Sequence, residues 1–113
     1  MAQLTLNLVQ GAVSFSFSED AAKQLQLEIA ALMQSLKAIA TATTGAGNRP
    51  VKQESMEYRY TGDVFLEIFC NPNIYPSPFA AKILLTLRDD RIRLTSEAEL
   101  TQLIEDLNLF LAS

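Results

Sequence analysis

Six stretches of this chain alternate between apolar and polar residues, and they fall into three pairs joined by short turns. Successive side chains of a strand point to opposite faces. A pair can therefore bury one continuous face only if its turn keeps both halves in phase. In the first pair Leu4, Leu6 and Leu8 share a face, and Val13, Phe15 and Phe17 share another beyond Gln10-Gly11. A two-residue turn at Gln10-Gly11 predicts that Leu8 faces Val13, Leu6 faces Phe15 and Leu4 faces Phe17. A single long strand bulged at Gly11 is the alternative. In the second pair Met56, Tyr58 and Tyr60 precede a Thr61-Gly62-Asp63 turn, and Val64, Leu66, Ile68 and Cys70 follow it. A three-residue loop there sets Tyr60 opposite Val64. The third pair runs from about Ala80 to Thr95 around Asp89-Asp90, with Leu87 facing Ile92 and Leu85 facing Leu94.

Two helical patterns complete the chain. Ser18 is a suitable N-cap, and Glu19 and Asp20 place negative charge at a helix start. Ala22, Leu25, Ile29, Leu32, Met33, Leu36 and Ile39 then follow at helical spacing over the next 22 residues. The opposite side is mostly Ala and Gln, which suits partial cover by another element or simply high helix propensity. The segment Ser96-Glu97-Ala98-Glu99 reads as a capping box opening a second helix. The stripe of that helix is Leu100, Leu103, Ile104, Leu107, Phe110 and Leu111. Between them, residues 41–55 lack periodicity, hold Gly45, Gly47 and Pro50, and read as a mobile loop. They lack the spacing of a phosphate-binding loop. Three prolines within residues 71–78 exclude a central strand there. The order β-β-α-β-β-β-β-α predicts an α+β fold: an antiparallel sheet of about six strands with two helices packed on one face. The 113 residues suffice for a single domain, 1–113, with one core.

Composition bounds the chemistry. Apolar residues make up 49% and charged residues 19%, a globular balance. The chain has no histidine, which removes the commonest general base and metal ligand. Cys70, the one cysteine, falls in phase with the core and reads as a buried structural thiol. The carboxylates read as helix-start charge at Glu19-Asp20, turn residues at Asp89-Asp90 and the capping box at Glu97 and Glu99. No catalytic residue, metal site or cofactor is expected, and the chain does not read as an enzyme. A net charge of −4 and a pI near 4.7 weigh against nonspecific nucleic-acid binding. Met1-Ala2-Gln3-Leu4 lacks the basic start and apolar run of a secretory signal. No apolar stretch approaches the roughly 20 residues that span a bilayer. With a single cysteine, the expectation is a cytoplasmic protein.

The strand positions out of phase with the core do not resemble ordinary surface. They are Glu57, Arg59, Phe65, Glu67, Phe69, Lys82, Leu84, Thr86, Arg88, Arg91 and Arg93. Five of the nine basic residues stand in this set, beside two phenylalanines and a leucine. Pairing of Arg88 with Arg91, next to Arg93, opposes like charges across strands, which is destabilising. Such a conflict often marks function. One reading is a binding face with aromatic anchors and arginines for carboxylates or a chain terminus. Another is that arginine stems cover the rings and keep the face soluble, or that the 41–55 loop or the N-terminal hairpin covers them. Ile74, Tyr75 and Phe79, held among prolines, form a second candidate contact; packing as a lid on the sheet edge is its alternative.

These features point to a non-catalytic adaptor or assembly factor. It would engage a partner protein through the mixed face or by adding a strand to an exposed edge, with homodimerisation a close variant. A single-stranded RNA-binding sheet is the alternative, since aromatics interleaved with arginine serve that purpose elsewhere. A small enzyme or ligand-binding domain is a third. The run YTGDVFLEIFCNPNIYPSPFAAKILLTLRDDRIRLTSEAELTQLIEDLNLFLA, about half of the chain, resembles small proteins of cyanobacteria, among them the carboxysome assembly factors that contact shell-protein tails. The resemblance implies recognition of a flexible tail on a shell protein and assigns no residue a role.

Overall fold

The computed structural model describes residues 2–44 and 52–112. The elements are β1 (Gln3–Leu8), β2 (Gly11–Ser16), α1 (Glu19–Thr44), β3 (Met56–Thr61), β4 (Phe65–Cys70), β5 (Lys82–Arg88), β6 (Arg93–Glu99) and α2 (Leu100–Ala112). A 3-10 turn at Pro72–Ile74 lies between β4 and β5. This is the expected α+β order, with every pairing antiparallel. The six strands divide into two sheets: the β1-β2 hairpin, and a four-stranded sheet in the order β3-β4-β5-β6. A main-chain bond from Val9 N–H to the Glu97 carbonyl, 3.1 Å, joins the hairpin to the β6 edge.

All three hairpins adopt a register two residues away from the one their turns suggested. Leu4 faces Phe15, Leu6 faces Val13 and Leu8 faces Gly11, so the first turn is Val9-Gln10. Gly11 begins β2 with φ of 153°, a conformation that a side chain disfavours. Tyr60 faces Leu66 rather than Val64, and the second turn is 62–64. A Cβ on Gly62 would collide with the Tyr60 phenol, so a larger residue there would require that ring to move. Leu87 faces Leu94 and Arg88 faces Arg93, which leaves Ile92 in the turn and 65% exposed. That turn spans four residues because the Asp89 carboxylate accepts the N–H groups of Arg91 (2.8 Å) and Ile92 (2.9 Å). The Asp89 N–H in turn donates to the Ile92 carbonyl. A slip of two leaves side-chain parity intact, so the buried set survives almost unchanged.

The N-terminus of α1 is capped as expected: Ser18 Oγ accepts the Ala21 N–H at 3.0 Å. The helix continues through residues 41–44, because no strong breaker comes before Gly45. The loop expected at 41–55 is corrected accordingly, and residues 45–51 of it lie outside the described residues. Residues 52–55 have no regular structure, but the Gln53 N–H donates to Asn73 Oδ1, 2.8 Å, and its carbonyl accepts from Asn73 Nδ2, 2.7 Å. The capping box at Ser96–Glu99 does not form. Those residues belong to β6, opposite Leu85, Leu84, Ile83 and Lys82, and the Leu100 N–H extends the ladder to the Ala81 carbonyl. Backbone pairing along a whole strand outweighs one local cap. The helix begins where that pairing ends.

One core joins the two sheets and both helices. Leu4, Leu6, Phe15 and Phe17 from the hairpin meet Leu66, Ile68, Ile83, Leu85 and Ala98 from the larger sheet. Leu25, Ile29, Leu32 and Leu36 of α1 and Leu100, Leu103 and Leu107 of α2 enter the same cluster. Phe17, fully buried, sits edge-on to Phe15, Tyr60 and Phe110, with ring centroids 4.7–5.9 Å apart. Asp106 of α2, 4% exposed, fastens the outer edge of β1. It accepts the Asn7 main-chain N–H and Asn7 Nδ2, both at 2.8 Å, and Gln102 Nε2 at 2.9 Å. Replacing Asp106 with Ala leaves those donors unsatisfied and is expected to lower unfolding stability by about 1–3 kcal/mol. Urea denaturation measures this; an unchanged midpoint would mean that apolar contacts alone hold the hairpin.

Candidate functional site

The helices and the hairpin fill one side of the four-stranded sheet, and among the described residues no element covers the other side; the part of the expected covering loop at 45–51 lies outside the described residues. Strand register places the open-face residues in rows running across β3, β4, β5 and β6. The first row is Thr61, Phe65, Arg88 and Arg93; the second is Arg59, Glu67, Thr86 and Thr95; the third is Glu57, Phe69, Leu84 and Glu97. Lys82 and Glu99 oppose each other beyond the third row. The face is therefore graded along the strands. Its first row holds two arginines and no carboxylate, its second pairs one charge of each sign, and its third holds two carboxylates and no base.

The individual contacts explain how this face tolerates water. The Arg88 guanidinium carbon lies 4.3 Å from the centre of the Phe65 ring, so part of that ring is covered by a stacked cation. Arg59 Nε bonds Glu67 Oε2 at 2.8 Å, and its Nη2 stands 3.8 Å from Glu57. Phe65 and Phe69 are half-buried, and Leu84, directly opposite Phe69, remains 44% exposed. Among the described residues, Arg88, Arg91, Arg93 and Lys82 form no ion pair. Arg91 belongs to the 89–92 turn and does not pair with Arg88; Arg93 takes that place. The like-charge opposition foreseen from sequence is thus present, with a different partner.

The segment joining β4 to β5 does not bring its three apolar residues together. Tyr75 packs against the core, and burial raises its phenol pKa. Ile74 and Phe79 stay outside, 68% and 85% exposed. Asn71 Oδ1 and Asn73 organise this segment and tie it to Gln53, an arrangement no local motif announced. Sequence reading also missed a groove of about 310 Å³ between α1 and α2, walled by Ile29, Ala30, Met33, Ile104 and Leu107. Gln26 Nε2 donates to Asn108 Oδ1 across it at 3.2 Å. The Ala/Gln composition of α1 was the available signal for that groove.

Among the described residues, no three His, Cys, Asp or Glu side chains gather as a metal-binding group. No helix among them is long and apolar enough to cross a membrane. Burial pushes the Cys70 thiol up to about 11, well above the range of reactive thiolates. Tyr58 is pushed up to about 12, by burial first and then by the charges of Tyr60 and Glu28, while its Oη donates to the Ala21 carbonyl at 3.0 Å.

Two titrations follow. Native Cys70 should resist a thiol reagent at pH 8 and react at full stoichiometry in denaturant; fast native labelling would contradict its burial. Tyr58 is held neutral in the folded chain, so its stabilising contribution is complete below pH 10.0 and is lost as pH rises towards about 12. The alkaline absorbance titration should show a late-ionising phenol that disappears in Tyr58→Phe. Uniform ionisation of all tyrosines near 10 would contradict the environment described for Tyr58.

Comparison of this chain with family models, curated proteins and solved structures finds no match.

Proposed function

We propose that this chain is a non-catalytic protein-binding module, an adaptor or assembly factor whose docking surface is the open face of the four-stranded sheet. The observation that carries the reading is the pairing of Phe69 with the exposed Leu84 on the two central strands of that face, with Phe65 four residues along the same strand. Each large apolar side chain moved out of water contributes roughly 1.5–3 kcal/mol when fully buried, so a few half-exposed ones can anchor a partner. Arg88 and Arg93 at one end, and Glu57 and Glu97 at the other, supply orientation more than affinity. Arg59 is already committed to Glu67 and Glu57, so Arg88, Arg91, Arg93 and Lys82 are the cations left for a partner. Ile74 and Phe79, exposed beyond one end of the sheet, extend the apolar contact.

A protein partner accounts for the face better than single-stranded RNA does. Glu57, Glu67, Glu97 and Glu99 share the surface with the arginines, and a phosphate chain laid across it would meet acid in every row but the first. A flexible protein tail carrying its own apolar and charged residues meets no such barrier. A shell-protein tail in carboxysome assembly is the specific partner that the C-terminal resemblance adds to this reading, and the single cysteine supports a cytoplasmic setting for the chain.

The test is affinity capture from the native host with wild type beside Phe65→Ser/Phe69→Ser. A specific protein should be retained by wild type and lost from the variant, with circular dichroism unchanged. Identical captures would remove this face from consideration.

A further inference from the structure

We infer that the open face is occupied, in the resting protein, by the same face of a second copy. The two sheets would be related by a two-fold axis that lies across the strands at the Arg59–Thr95 row. This rests on the reading of that face as a docking surface and commits it to a particular occupant.

The reason is the charge gradient. Rotation about such an axis reverses strand direction and keeps each strand above its own copy, so the first row of one molecule lies over the third row of the other. Arg93 then stands over Glu97 of the second copy, and Phe65 over its Phe69. Arg88 stands over its Leu84, and each contact occurs twice, as an isologous interface requires. The remaining face-to-face choice, an axis running along the strands, sets Glu57 over Glu97 and opposes acid to acid. Charge complementarity therefore selects one arrangement. On the axis itself Arg59 and Glu67 each meet their own copy, and within each molecule the two already neutralise one another.

Exposed apolar residues outside the rows stand at both ends of the sheet. The 89–92 turn, with Ile92 65% exposed, lies at one end of the sheet. The segment holding Ile74 and Phe79, 68% and 85% exposed, lies at the other end. Reversing the strands brings the turn of each copy to the segment of the other. Aligned packing of twisted sheets at about 30° permits this contact. Four strands of six or seven residues offer a small face against the roughly 800 Å² per partner of a standard interface. The dimer is accordingly weak, salt-sensitive and exchangeable, so that a client protein displaces the second copy from the surface it needs.

Sedimentation equilibrium of the full chain, from low to high micromolar concentration and in low and high salt, tests this. Wild type should form a dimer that weakens as salt is raised. Arg93→Glu and Glu97→Arg should each dissociate it about tenfold more readily, since each places like charges together twice. An equimolar mixture of the two variants should regain dimer, because both interfacial pairs are then opposite in sign. Phe65→Ser/Phe69→Ser should be monomeric with its circular dichroism retained. A wild-type chain that stays monomeric throughout overturns the inference, as does a dimer indifferent to all of these substitutions. If wild type is monomeric while capture of a client still depends on Phe65 and Phe69, the self-association falls and the docking face stands. If neither association depends on the rings, both fall.

Discussion

A strand can send only every second side chain into a core, and this constraint governs the whole molecule. Leu66, Ile68 and Cys70 go inward on β4, so Phe65, Glu67 and Phe69 have no choice but the other side. On β5 Ile83, Leu85 and Leu87 are buried and Lys82, Leu84 and Arg88 are not, while the short Thr86, on the outer side between larger neighbours, is buried as well. The apolar content of the open face follows from the identity of those residues and from nothing else in the fold. Stacking of Arg88 on Phe65 and the Arg59–Glu67 bridge are adjustments that make the outcome tolerable in water.

The N-terminal hairpin is integrated by different means. Two strands alone are marginal in water, and β1-β2 is not extended by pairing into the larger sheet. Its inner side chains enter the common core, with Phe17 as a hub between Tyr60 of β3 and Phe110 of α2. Its outer edge is closed by the Asp106 carboxylate, which takes the place of a neighbouring strand's carbonyl at Asn7. That substitution lets α2 lie beside β1 and closes the inner side of the molecule, while no element among the described residues lies over the opposite sheet face.

The gradient of charge along that face gives it direction. A surface of mixed charge without order would serve solubility; one that runs from paired arginines to a row flanked by two glutamates distinguishes one end of an incoming segment from the other. It also matches its own inverse, so the proposed partner binding and the proposed self-association would draw on the same few side chains.

Much of this was legible in the residues themselves. Alternation, turn residues and helical spacing carried the element order, the α+β class and nearly all of the buried set, including Cys70, Tyr58 and the stripes of both helices. Phe65, Phe69 and Leu84 were likewise placed outward by parity alone. What alternation cannot determine is register, because a slip of two residues leaves every side chain on its proper face; turn hydrogen bonds at Asp89 and close approach at Gly62 decided it. Nor could local signals foresee that Ser96–Glu99 would extend a strand instead of capping a helix, or that Asp106 would meet Asn7. Those outcomes depend on groups far apart in the chain, and a carboxylate or a main-chain N–H takes the partner that folding brings to it.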